Sequence, residues 1–233
     1  MRELSVEHFG EWVREGKYGH RLTRDLYAQP NRRPSVVLPR EIYTQEQWDS
    51  LAWMYSDDEH RSYSDKAVER FREDALENFD LNMAFFATIP PAQFEDALTD
   101  ALGRGKTLRP VTRLRDLEGK SGLYILVLDD YRQAYIGQAG NLRHRIKSHW
   151  WGTKQFDRLV FGHPHESVLS IDAFRVLDTT RVYAATTARP DALEARLVRH
   201  FPQSLLLNRV AGGKPDDIRL AFMGLEGRRR QLI

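Results

Sequence analysis

The sequence predicts a mixed α/β fold of the α+β type. A small sheet of three mainly antiparallel strands, flanked by helices, follows a largely helical N-terminal region. Three observations predict it. Ser121 to Trp150 reads as strand, turn, strand, glycine loop and helix. The segment from Thr44 to Leu102 repeats apolar residues at helical spacing. Charge divides unevenly: residues 1–110 hold 15 Lys and Arg against 20 Asp and Glu, net −5, and residues 111–233 hold 20 against 13, net +7. A basic half suits a phosphate-backbone partner, so the chain divides into 1–110, helical and of unassigned role, and 111–233.

Taken in order, Ser5 is placed to cap a short helix running to about Arg14, with Val6, Phe9 and Val13 on one side. Pro30 and Pro34 flank Asn31-Arg32-Arg33, a loop. Thr44 and Gln47 form a capping-box pattern ahead of Trp48, Leu51 and Ala52. Asp57-Asp58-Glu59-His60 reads as a solvated acidic turn rather than a metal cluster. The helix over Lys66 to Phe79 carries Ala67, Val68, Phe71, Ala75, Leu76 and Phe79 as one stripe. Pro90-Pro91 opens another, with Phe94, Ala97, Leu98 and Leu102 inward, ending near Gly103 and Gly105.

Gly122 to Leu128 is an apolar run of strand length, Asp129-Asp130 breaks it, and Gln133 to Ile136 resumes an extended pattern. The two runs pair as a hairpin. After Gly137 and Gly140, Asn141 caps a helix whose inward stripe is Leu142, Arg145, Ile146 and His149. An arginine there either snorkels to water or meets a partner from elsewhere, because burying a bare charge is costly. Trp150 and Trp151 follow, read as core packing ahead of base stacking. His163-Pro164-His165 reads as a loop. Ile171 to Leu177 and Val182 to Thr187 read as strands, either able to join the hairpin. Pro190 starts a helix with Glu194, Leu197, Val198 and Phe201 on one face, so Glu194 repeats the oddity of Arg145. The two charges either pair with each other or share a site. Leu205-Leu206-Leu207 leads to Asn208, Gly212-Gly213 ends the unit, and Gly227-Arg228-Arg229-Arg230 is a basic tail.

The 233 residues, 41% of them hydrophobic, support a real core. No run reaches transmembrane length. The start, MRELSVEHF, lacks the apolar region of a secretory signal. The absence of cysteine excludes disulfides and cysteine-rich zinc sites. A cytoplasmic protein is expected.

In these residues the chain resembles the GIY-YIG nuclease family. Gly122-Leu123-Tyr124 stands for the first triplet, with Leu in the middle place, and Tyr135-Ile136-Gly137 matches the second. Arg145, ten residues after Tyr135, stands where the family keeps its catalytic arginine, and His149 follows one helical turn later. Glu194 and Asn208 suit the later glutamate and asparagine. The resemblance covers about residues 119–212, and it departs from many relatives at Gln138, where they carry Lys. The segment from Trp151 to Thr180 is longer than the minimal module.

The resemblance implies a metal-dependent endonuclease that hydrolyses phosphodiester bonds in DNA. Tyr124 is then the general base, Tyr135 a positioning or relay group, His149 a helper and Arg145 the cation that meets transition-state charge. Glu194 is the ligand of one Mg²⁺ or Mn²⁺, and Asn208 orders the site. A free tyrosine, with a pKa of about 10, needs a downward shift of about 2.5 units to act as phenolate near pH 7.5, which a metal and Arg145 would favour. Gly137, Gln138, Arg143 and Lys147 are the candidate nucleic-acid contacts. Two rival readings stand beside this one: an inactive nucleic-acid-binding module of the same fold, and a protein-interaction module working through the acidic N-terminal half.

Overall fold

The computed structural model describes residues 5–34, 39–151 and 167–208. In chain order the elements are β1 (Ser5–His8), β2 (Glu11–Arg14), α1 (Arg24–Tyr27), α2 (Gln45–Leu51), α3 (Asp65–Thr88), α4 (Pro91–Arg104), β3 (Arg109–Pro110), β4 (Gly122–Leu128), β5 (Gln133–Ala139), α5 (Leu142–Trp151), β6 (Arg181–Thr186) and α6 (Pro190–His200). The fold is mixed α+β with two antiparallel sheets, β1-β2 and a four-stranded sheet ordered β3-β6-β4-β5.

The central strand explains this order. All seven residues of β4 are buried, and a continuous apolar run can be buried on both faces only when strands flank it and other elements cover it. The hairpin partner β5 takes one edge, pairing Tyr124 with Gly137 and Ile125 with Ile136. β6 takes the other, pairing Tyr124 with Ala184. Of the two expected strands after α5, only the second forms. The stretch Ile171–Leu177 instead makes two 3₁₀ turns, at Ile171–Ala173 and Val176–Asp178. Local polar bonds divert it: Ser170 caps the Asp172 N–H at 3.2 Å, and Asp178 accepts the Arg175 N–H at 2.7 Å and the Leu22 N–H at 2.8 Å.

The helix expected over Ser5 to Arg14 is a hairpin. Phe9 and Gly10 both have positive φ, 48° and 70°, the two-residue turn that matches strand twist. The alternation Glu11, Val13 inward and Trp12, Arg14 outward is period two. Elsewhere local signals hold. Thr44 and Gln47 exchange both capping-box bonds, and Asn141 accepts the His144 N–H at 3.1 Å. α3 continues past Phe79 to Thr88, burying Asn78, Asn82 and Phe86. Asn78 and Asn82 each donate to the Ser167 carbonyl, which is why an amide stripe extends the apolar one. Asp57 closes its acidic turn by accepting the N–H groups of Glu59, Arg61 and Ser62.

The buried core runs without a break from Val13 through Phe86 and Phe94 to Leu207, across residue 110. No helix among the described residues is long and apolar enough to cross a membrane.

Candidate active site

The sheet and two helices bring the singled-out side chains together. Tyr124 lies on β4, Tyr135 on β5, Arg145 and His149 on α5, and Glu194 on α6. The rings of Tyr124, Tyr135 and His149 stand 5.1–6.1 Å apart, centroid to centroid. Packing accounts for the two glycines that precede or follow these tyrosines. A Cβ on Gly137 would lie 2.5 Å from the Tyr124 hydroxyl oxygen and 2.7 Å from a Tyr135 ring carbon. On Gly122 it would lie 2.0 Å from the Ala185 carbonyl oxygen across the β4-β6 ladder. Neither position admits a side chain.

One hydrogen-bonded chain runs through the site. The Tyr124 hydroxyl lies 2.7 Å from His149 Nε2, and His149 Nδ1 lies 2.5 Å from Asp172 Oδ1. Tyr124 and His149 are fully buried, and Asp172 is nearly so. A carboxylate only accepts, so Nδ1 carries the proton. In the neutral ring Nε2 then accepts from the Tyr124 hydroxyl. Asp172 is itself held by the turn in which Arg175, also buried, donates to its carbonyl at 2.8 Å.

Burial sets the direction of the tyrosines' acidity. It pushes Tyr124 well above the usual phenol range, with Tyr135 and Asp172 adding to the effect and Arg145 only partly opposing it. It pushes Tyr135 up to about 12, again against Arg145. The expectation that Arg145 favours a phenolate is right in sign, but desolvation outweighs it. Arg145 is half-buried. Burial works against its charge, yet the nearby Tyr124, Tyr135 and Asp172 more than offset that and raise its pKa. A guanidinium permanently charged beside two neutral phenols is the outcome.

Glu194 is buried, and its Oε2 has no hydrogen-bond partner among the described residues. Burial raises its pKa, Asp191 adds to this, and a Gln138 hydrogen bond and Arg145 draw it back. Arg145 acts on Glu194 through space, without a direct ion pair. A buried carboxyl oxygen with no partner is unusual and is a free lone-pair site for a cation. Among the described residues no three His, Asp or Glu side chains converge as a ready cage. One carboxylate with retained waters fits Mg²⁺ better than a metal that demands a full protein ligand set.

Asn208 bonds the backbone of β5. Its Oδ1 accepts the Ile136 N–H at 3.0 Å and its Nδ2 donates to the Ile136 carbonyl at 2.7 Å. It clamps the backbone between Tyr135 and Gly137. Leu207 N–H adds a bond to the Ala134 carbonyl at 2.9 Å.

The expected nucleic-acid contacts are placed unevenly. Gly137 is buried and Gln138 is turned to Glu194. Arg143 holds the buried Glu11 at 2.8 and 2.9 Å and also pairs with Glu118. Lys147 reaches Glu11 at 2.8 Å. Trp150 is core, donating to Thr179 at 3.0 Å, while Trp151 is 52% exposed. His163, His165, Gly212, Gly213 and the tail Gly227 to Arg230 lie outside the described residues.

Sequence reasoning missed Asp172. Its signal was the one that marked Arg145 and Glu194: a charge inside an apolar stretch, here Val168 to Leu177. The chain matches no protein-family model, no curated protein and no solved structure.

Proposed function

We propose that this protein is a metal-dependent endonuclease of the GIY-YIG type that hydrolyses phosphodiester bonds in DNA. The observation that carries the reading is the convergence of Tyr124, Tyr135, Arg145, His149 and Glu194 on one side of the four-stranded sheet, with a buried Glu194 oxygen that has no partner among the described residues. A structural ion pair would have consumed that oxygen. A binding-only module has no use for a buried carboxylate beside its phosphate site.

The chain's own groups meet the needs of the reaction. Attack forms a bond from a water oxygen to phosphorus and breaks the bond to the leaving 3′ oxygen. The water proton passes to the Tyr124 oxygen while the Tyr124 proton passes to His149 Nε2. Asp172 on Nδ1 stabilises the imidazolium so formed. Because the phenol gives one proton as it takes another, no standing phenolate is required, and the upward pressure of burial on Tyr124 is no obstacle. This ordering gives His149 the role of proton acceptor and Tyr124 that of relay, reversing the ranking expected from sequence. Arg145 supplies fixed charge to the non-bridging oxygens in fork geometry. Tyr135, neutral at working pH, donates a hydrogen bond to the phosphate. Glu194 would hold a Mg²⁺ or Mn²⁺ ion, which when bound supplies Lewis-acid stabilisation at the phosphate and leaving oxygen. The leaving oxygen takes its proton from solvent.

The test is cleavage of supercoiled plasmid and of single-stranded DNA with Mg²⁺, beside EDTA, Arg145→Ala and Glu194→Ala controls. Nicking or linearisation lost in all three supports the reading. A folded protein that binds DNA and cuts neither substrate is instead a binding module of the same fold. Cleavage that survives Glu194→Ala removes the assigned metal ligand.

A further inference from the structure

Two open cavities of nearly equal volume, about 480 and 490 Å³, lie on the described surface. They differ in whether their cations are already satisfied. In the first, on the outer face of α5, Arg143 and Lys147 are bound by Glu11 and Glu118. The second lies between the end of α4 and the start of α6. It is lined by Arg104, Lys106, Arg189 and Arg196 with the hydroxyls of Thr107 and Thr187, and no carboxylate among the described residues lines it. Asp100 takes Arg104 at 2.6 Å. Lys106, Arg189 and Arg196 are exposed and have no ion pair among the described residues. Three positive charges around one groove, with no carboxylate partner among the described residues, create a site for a polyanion.

Its position identifies the polyanion. The Thr187 N–H donates to the Ser121 carbonyl at 3.2 Å, and Tyr124 pairs with Ala184. The mouth of the groove is therefore three residues along the ladder from Tyr124, about 10 Å at about 3.3 Å per residue. That is about three nucleotides of strand at about 3.4 Å rise. Glu194 faces inward from α6, and Arg196, two residues on, projects from the opposite side, as the period of about 3.6 requires. Nucleic acid passing the candidate site thus crosses the start of α6 into the groove. A lipid surface is a poorer occupant. Among the described residues the exposed large apolar side chains, Trp12, Ile42, Trp53 and Trp151, lie outside the groove lining.

We infer that the α4–α6 groove binds the phosphodiester backbone of DNA about three nucleotides from the scissile step. The cationic groove stands on its own geometry, whereas its role as a substrate track rests on the nuclease reading.

Binding of fluorescein-labelled 30-mer DNA, single-stranded and duplex, is followed by anisotropy in EDTA across a salt series. Lys106→Glu with Arg189→Glu should weaken binding at least tenfold and reduce the slope of log K against log salt by about 1.8 on duplex, about 0.9 for each phosphate no longer neutralised. A control reversing Arg70 and Arg72 on α3 changes net charge equally and should stay within twofold of wild type. Equal weakening by both pairs, or no weakening by the groove pair, overturns the inference. So does full competition by polyglutamate of matched charge, which would assign the groove to an acidic protein. Should the Glu variants unfold, the milder Lys106→Gln with Arg189→Gln must still lower the slope. Cleavage assays of the wild-type protein with Mg²⁺ separate the two failures: salt-dependent groove binding by a wild type that cuts no DNA keeps the groove and removes the nuclease reading.

Discussion

Asn208→Leu tests how the candidate site is held. Ile136 lies on the outer edge of β5, where its N–H and carbonyl face away from β4 and both bond Asn208, at 3.0 and 2.7 Å. Asn208 is 1% exposed, so water does not replace it freely. Leucine nearly conserves volume but supplies neither bond. Each buried backbone group left unpaired costs about 1–3 kcal/mol, giving about 2–6 kcal/mol in all. That is a large part of a typical stability of about 5–15 kcal/mol. The assay is urea denaturation followed by circular dichroism. With a slope of about 2–3 kcal/mol/M, the midpoint should fall by about 0.7–3 M. Tyr135 and Gly137 flank the clamped residue, so DNA cleavage should fall in any sample that still folds. A midpoint within about 0.3 M of wild type would refute the clamp. Asn208 would then touch the backbone without holding it, and a catalytic role would have to be sought instead.

Other outcomes follow from the same geometry. Asp172→Asn leaves an acceptor for His149 Nδ1 but removes the charge that stabilises the imidazolium. The cleavage rate should fall by about 10²-fold or more, with DNA affinity within twofold and the His149 ring resonances shifted; an unchanged pH–rate profile would remove Asp172 from the relay. Gly137→Ala drives a methyl group to within 2.5 Å of the Tyr124 oxygen, so thermal unfolding should register about 1–3 kcal/mol of overpacking together with loss of cleavage, and a fully active variant would contradict the packing. Burial raises the Glu194 pKa above its unfolded value. Its ionisation therefore costs nothing while both states are protonated, begins to destabilise the fold as pH rises through the unfolded pKa, and costs in full above the folded one. Glu194→Gln should raise the thermal midpoint at pH 7.5 in EDTA, not at pH 4; if Glu194 holds Mg²⁺ as proposed, the ion should raise the midpoint of the wild type and not of the variant. Glu11 works in the opposite sense. The Arg143 hydrogen bond, with Lys147, holds it down at about 2, so its contribution is present above the unfolded value near 4.5 and is lost as pH falls toward 2. Glu11→Gln should lower the thermal midpoint at pH 7 and converge on wild type near pH 2, and parallel melting curves at both pH values would show that the pair contributes nothing.

How much of this was legible in the sequence depends on the range over which each cause acts. Periodicity and capping operate within one or two turns of chain, and they place Arg145, His149 and Glu194 on inward faces, the hairpin around Tyr124 and Tyr135, and the capped starts of α2 and α5. Where two local readings compete, sequence fails: Val6, Phe9 and Val13 suit a helix, but two adjacent residues at positive φ fold the segment back as a hairpin. Apolar Ile171 to Leu177 suits a strand until Ser170 and Asp178 capture its N–H groups.

By itself, then, the sequence determined that charges would lie where apolar side chains belong, and on which elements. Only the tertiary structure decided what those charges meet. Asp172 reaches His149 across 23 residues, Asn208 reaches Ile136 across 72, and Glu11 reaches Arg143 across 132. No local rule selects such partners, because they are chosen by the packing of the whole core. The direction of the tyrosine pKa values is of the same kind. Both phenols and Arg145 were named from the sequence, but the balance between desolvation and a nearby cation depends on how completely the sheet and α5 exclude water, and burial prevails.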